Sequence, residues 1–185
     1  QMLNAYQTGD FATAAQIAND SADKNQDNKN TILYRLEQGA ILRAAAMSGT
    51  PLPQVVVAEA SMAAGPEALP EDIQLPDADV YFMEASLAAF NDAEAKVDEY
   101  ESGPDVKVGS EVTANLTNQA NLPYRGRAYD KVLLNTYKAL NYMQLGDFDA
   151  ARVELNLALE RQRTAVEENA KRIEEAQEQV EAAKN

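Results

Sequence analysis

Any chemistry in this chain has to be done without imidazole or thiol, because the sequence contains neither histidine nor cysteine. That removes Ser-His and Cys-His nucleophile pairs, and with them the nitrogen and sulfur ligands of the common zinc and copper sites. What remains is a local concentration of cation, ring and amide: Pro123-Tyr124-Arg125-Gly126, followed by Tyr129 and Asn135, with Thr117, Asn118 and Asn121 just upstream. A planar guanidinium at Arg125 can grip a carboxylate or phosphate at two points, while Tyr124 and Tyr129 supply stacking faces. The same residues admit a structural reading, in which Pro123 and Gly126 shape a helix entrance, Tyr124 packs on the core and Arg125 pairs with one of the many acids.

The carboxylates are numerous but badly placed for acid–base work. Asp77 and Asp79 alternate in one segment, and Glu167, Glu168, Glu174, Glu175, Glu178 and Glu181 crowd the last twenty residues. Acid and base roles require two carboxylates facing each other in environments that separate their pKa values, and neither cluster has the apolar setting for that. The polar run Asp20 to Asn30, DSADKNQDNKN, superficially resembles a calcium loop. It lacks the central glycine and the twelfth-position glutamate of an EF-hand. No G-x-S-x-G element or phosphate-cradling glycine loop occurs. The expectation is a protein that is not an enzyme and carries no cofactor or metal.

Charge narrows the partners. Thirty acidic residues against sixteen basic ones give a formal charge of −14, which repels nucleic-acid backbones and anionic lipid surfaces. No apolar run reaches the roughly 18 residues of a membrane span, and no leader stands at the front, although the chain begins at Gln1 without a methionine.

The elements that must position these residues are helical. Gly9-Asp10-Phe11-Ala12-Thr13-Ala14-Ala15 and Gly146-Asp147-Phe148-Asp149-Ala150-Ala151 each open an alanine-rich amphipathic run after a turn, the pattern of a helical hairpin. Residues 20–30 are expected to form a surface loop ending in Asn30-Thr31, either of which can cap the next helix. A helix over 32–47 is predicted from Leu33, Leu36, Ala40, Ile41, Ala44 and Met47. Segment 50–79 holds five of the seven prolines and reads as an insertion with a short helix after Pro53. A helix over 81–100 follows through Phe82, Ser86, Ala89, Phe90, Ala93 and Val97, then an irregular stretch over 105–125 in which Val106 and Val108 suggest a short extended piece. A helix from about Ala128 puts Val132, Leu133, Thr136, Tyr137, Leu140 and Met143 on one face, and its partner runs through Ala151, Leu155, Ala158 and Leu159. Beyond it Leu159, Val166, Ile173 and Val180 recur every seven residues, with Gln162 and Asn169 interrupting the seam. A long solvated helix and a weak homodimer are both compatible with that pattern.

Tyr142, Gly146, Phe148, Ala151 and Ala158 stand at the spacing of a tetratricopeptide repeat, and Gly9, Phe11 and Ala14 repeat its centre. More broadly, the stretch LTNQANLPYRGRAYDKVLLNTYKALNYMQLGDFDAARVE resembles a family of uncharacterised bacterial proteins, often lipoproteins with tetratricopeptide-like helices, in which a Pro-Tyr-Arg-Gly element precedes the last hairpin. The resemblance implies an exported protein at the cell envelope, in the periplasm or attached to the outer membrane. Its membrane contact would be a lipid anchor whose cysteine this chain lacks.

The resulting expectation is an all-α protein with tetratricopeptide-like hairpins: residues 1–163 as the helical domain, carrying the 50–79 insertion, and 164–185 as an extension of the last helix. Its function would be to bind a protein or peptide partner through Tyr124, Arg125, Tyr129 and Asn135. The alternatives are a structural protein self-associating through the C-terminal helix, or a small-molecule binder using 50–79 and 105–125 as a lid.

Overall fold

A computed structural model describes residues 1–65, 69–102 and 123–183, and among them the regular structure is helical, with no strand. The helices are α1 (Met2–Gln7), α2 (Phe11–Lys24), α3 (Thr31–Met47), α4 (Gln54–Ala64), α5 (Ala78–Ser102), α6 (Ala128–Gln144) and α7 (Phe148–Ala182), with a single 3-10 turn at Pro70–Asp72. The all-α expectation therefore holds. The expected extended piece around Val106 lies outside the described residues.

The two Gly-Asp-Phe turns are built alike. Gly9 and Gly146 take φ of 79° and 81°, the left-handed conformation that a side chain makes costly. The N–H of Asp10 then reaches back to the Ala5 carbonyl at 2.9 Å, and that of Asp147 to the Tyr142 carbonyl at 2.9 Å, closing α1 and α6. The same two aspartates open the following helices. Asp10 Oδ1 accepts the N–H of Thr13 at 3.1 Å and Asp147 Oδ1 that of Ala150 at 2.9 Å. One residue thus ends one helix and starts the next, which is why the chain reverses in so few residues.

The chain divides into two compact units, Gln1–Arg125 and Gly126–Asn185. This division falls upstream of α6, whereas position 163 lies within the continuous α7. In the first unit α1 packs on α2, α2 on α3 and α3 on α5. Alanines 14, 15, 18 and 22 form the buried stripe of α2, small enough to let α3 approach closely. The α3–α5 seam buries Ile32, Leu42, Phe82, Met83, Phe90 and Val97, each worth about 1.5–3 kcal/mol when fully removed from water. At its centre Ser86 donates its hydroxyl to the Gly39 carbonyl at 2.7 Å.

Several expectations need correction. Helix α2 continues to Lys24, so the loop shrinks to residues 25–30, where the Thr31 hydroxyl sits among the carbonyls of Asn25, Gln26 and Asn28. Asn30 occupies the cap position of α3 without a side-chain cap bond. The face of α3 is also rotated from the one expected: Ile32, Gly39, Ile41, Leu42, Ala45 and Ala46 are buried, while Leu33 and Met47 are exposed. Helix α5 buries the residues its periodicity picked out, Phe82, Ser86, Ala89, Phe90, Ala93 and Val97.

The second unit is the antiparallel pair of α6 and α7. Here the expected apolar face of α6 is displaced. Leu133, Leu140 and Met143 are exposed, and the buried positions are Leu134, Asn135, Lys138, Ala139 and Asn141. On α7, Ala151, Glu154 and Ala158 are buried while Leu155 and Leu159 are exposed.

Candidate functional site

A cleft of about 640 Å³ opens in the first unit, within the roughly 300–1,000 Å³ range of ligand-holding pockets. Its polar wall is α2, which presents Thr13, Gln16, Asn19 and Asp20 on one face because these positions recur three and four residues apart. Opposite stand Tyr81, Phe82 and Ala85 of α5, and Leu42 of α3 contributes to the floor. Tyr81 and Phe82 meet edge to face, with ring centroids 5.3 Å apart.

The lip is made by Pro51, Leu52, Pro53, Gln54 and Val55. Its position follows from the end of α3, where Gly49 turns left-handed at φ 69° and the Thr50 N–H returns to the Ala45 carbonyl at 3.2 Å. Ser48 and Thr50 share a hydroxyl hydrogen bond of 2.8 Å that braces the turn. Pro53 then sets the dihedral at the entry to α4. The first residues of the proline-rich insertion, Pro51 to Val55, thus serve as a rim of the cleft.

One wall residue is oriented by a chain of polar contacts. Arg35 Nη1 donates to Gln38 Oε1 at 2.8 Å, and Gln38 Nε2 donates to Asn19 Oδ1 at 2.9 Å. Arg35 also faces Asp23 on α2 at 3.7 Å and Asp92 on α5 at 3.5 Å. The buried Gln38 therefore uses its carbonyl on the arginine and its amine on Asn19. This contact holds the amide of Asn19, which lines the cleft, through its carbonyl oxygen.

The residues singled out in the sequence are distributed between the two units. Tyr124 is half-buried at the end of the first, and its backbone N–H donates to the Lys29 carbonyl at 2.7 Å, tying the segment to the α2–α3 loop. Arg125 beside it is exposed. In the second unit Tyr129 is 54% exposed and carries a guanidinium, but that of Arg127: Nη1 donates to the Tyr129 hydroxyl at 2.9 Å, and the cation lies 5.8 Å from the ring centroid. Asn135 is fully buried and donates Nδ2 to Glu154 Oε2 at 2.6 Å. Thr117, Asn118 and Asn121 lie outside the described residues.

Glu154 is the centre of a polar seam that sequence reading missed. Its other oxygen meets Lys138 Nζ at 2.7 Å, with the two side chains only 9% and 5% exposed. Asn135 and Lys138 stand three apart on α6 and so converge on one carboxylate. Nothing in the sequence sets Lys138 or Glu154 apart from the other charged residues of these helices, and their pairing, 16 residues apart across a turn, could not be read from it. Among the described residues, no group of three or more acids stands close enough to hold a metal ion, and no helix is long and apolar enough to cross a membrane.

In chemical terms the cleft offers amide donors and acceptors, one carboxylate and a ring wall, a set suited to holding a chain of peptide groups. Comparison with protein-family models, curated proteins and solved structures finds no match to this chain.

Proposed function

We propose that this chain is a non-catalytic scaffold of tetratricopeptide-like hairpins that binds a protein or peptide partner at the bacterial cell envelope. The observation that carries the reading is the cleft on α2, with its polar ladder of Gln16, Asn19 and Asp20 facing Tyr81 and Phe82. An extended peptide has unpaired N–H and C=O groups along its length, and amide side chains held at helical spacing on a rigid wall can answer them. Pre-orientation of Asn19 through Gln38 and Arg35 lowers the ordering cost of capture. Asp20 and the overall charge of −14 favour a neutral or basic segment. The envelope location rests on the resemblance carried by Pro123-Tyr124-Arg125-Gly126. In the same reading Tyr124 and Arg125 on the first unit, and Tyr129 on the second, are each further contact residues for the partner, whereas the buried Asn135 contributes through the α6–α7 seam.

The test is selection from a displayed peptide library on the full chain, followed by anisotropy titration of the selected peptides against wild type and Gln16→Trp. Filling the cleft from the exposed side of α2 should weaken binding by about tenfold or more, which is about 1.4 kcal/mol. Peptides indifferent to both Gln16→Trp and Arg125→Glu would overturn the proposal.

A further inference from the structure

The second half of α7 is exposed along almost its whole length. Arg161 still reaches the first turn of α6, donating Nη1 to the Lys131 carbonyl at 3.4 Å. From Gln162 to Ala182 every residue is exposed except the half-buried Ala165, a stretch of roughly 30 Å at 1.5 Å per residue. Its helicity is carried by alanine, glutamate, glutamine and lysine and by favourable i,i+4 pairs such as Glu167 with Lys171 and Glu168 with Arg172.

Its charges are not scattered as on an ordinary solvated helix. With Leu159, Val166, Ile173 and Val180 at one seam position, the companion seam position holds Leu155, Gln162, Asn169, Ala176 and Ala183. Beyond the contact with α6, the flanks of the seam are Arg163, Ala165, Ala170, Arg172, Gln177 and Gln179. All the glutamates between 160 and 181 fall on the opposite side. In so acidic a chain, a face swept clear of carboxylate for more than three heptads is what close approach of an identical helix requires. The two flanking cations are compatible with this, since Arg163 already lies 3.9 Å from Glu160 of its own helix.

We infer that this face of α7 pairs with the same face of a second copy of the chain, parallel and in register. Orientation follows from the two amides. In a parallel pair Asn169 meets Asn169 and Gln162 meets Gln162, so each amide can satisfy its counterpart. An antiparallel pair sets one seam position against the other, and each amide would then lie against Val or Ile. The seam continues upstream onto Leu155 and Leu159, which stay exposed although this part of α7 also packs on α6, so the interface begins on the side of α7 that α6 leaves open. This assembly is independent of the cleft on the first unit.

Because the chain has no cysteine, single cysteines report the geometry directly. Light scattering on the full chain should show a dimer that strengthens with added salt, since each copy carries −14 and screening relieves their repulsion. Asn169→Cys should oxidise to a disulfide-linked dimer, and Glu167→Cys, on the outer side, should not. Val166→Glu with Ile173→Glu should weaken association about a hundredfold or more while circular dichroism keeps its helical signal. A monomer at concentrations up to about 0.5 mM in high salt would overturn the inference. So would cross-linking at 167 as readily as at 169, a dimer unreactive at 169, or association that weakens with salt.

Discussion

Phe90 lies against the bare Cα of Gly39: a β-carbon on residue 39 would stand 2.7 Å from the edge of the buried ring. Glycine inside a helix normally costs about 1 kcal/mol relative to alanine, so its presence in the middle of α3 is explained by this approach. Gly39→Ala gains that propensity but forces the ring or the backbone to move, at about 1–3 kcal/mol. We expect a net loss of about 1 kcal/mol in chemical denaturation, and Gly39→Val to lose more. Pairing Gly39→Ala with Phe90→Leu should recover part of the loss, because the smaller side chain vacates the contested volume.

Glu154 should be intolerant of losing its lysine. Lys138→Met leaves a buried carboxylate without its cation, and we expect a loss of about 3–5 kcal/mol by urea denaturation. Removing both charges with Lys138→Met and Glu154→Leu should restore most of it, since a paired apolar replacement removes the desolvation cost as well as the attraction. If the double variant is no better than the single one, the pair is not coupled as its 2.7 Å separation implies.

The hairpin turns should be sensitive at their aspartates. Asp147→Ala removes the acceptor for the Ala150 N–H and should cost about 1 kcal/mol. Asp10 adds a pH dependence. The Thr13 hydroxyl, with the Thr13 N–H, holds its carboxyl below the usual carboxylate range. A folded-state pKa below the unfolded one means that its contribution is full above the unfolded value and fades as pH falls through the folded value. An acid titration of thermal stability should therefore show a component below about pH 4 that Asp10→Asn reduces.

Partner capture should separate the two candidate surfaces. Arg125→Glu reverses an exposed charge beside Tyr124 and should leave helicity unchanged. If peptides selected on the full chain lose affinity with this variant, the Pro123–Gly126 segment contributes to binding. If only Gln16→Trp weakens them, the cleft alone does. Asn19→Ala should weaken binding with little change in stability, and Gln38→Leu should do so indirectly by releasing the Asn19 amide.

Turn chemistry made the helices legible. Gly9 and Gly146 with their following aspartates decide where α1 and α6 stop and where α2 and α7 begin, using hydrogen bonds within a few residues of each other. Such interactions are local, so the letters specify them. Helix α5 was legible down to its buried face, because Phe82, Phe90 and Val97 leave only one apolar side.

The faces of α3 and α6 were not. Apolar residues outnumber the buried positions on both, and periodicity alone cannot say which stripe turns inward. On α6 the choice went to Asn135, Lys138 and Asn141, against Leu133, Leu140 and Met143. A polar residue can be buried only where a partner from elsewhere in the chain meets it, and Glu154 is such a partner.

The same division holds for the sites. Tyr124, Arg125 and Tyr129 stand out as letters because they are neighbours in sequence. The cleft draws Gln16, Pro53 and Tyr81 from three separated segments, and a site assembled from distant segments has no sequence spacing to betray it. By itself the sequence determined the helical class, the two hairpin turns and the run of heptads in α7, because propensity, capping and periodicity act over one or two turns. Tertiary structure alone decided which stripe of α3 and of α6 is buried, which acid is paired and where the cleft opens, because those depend on partners that only folding brings together.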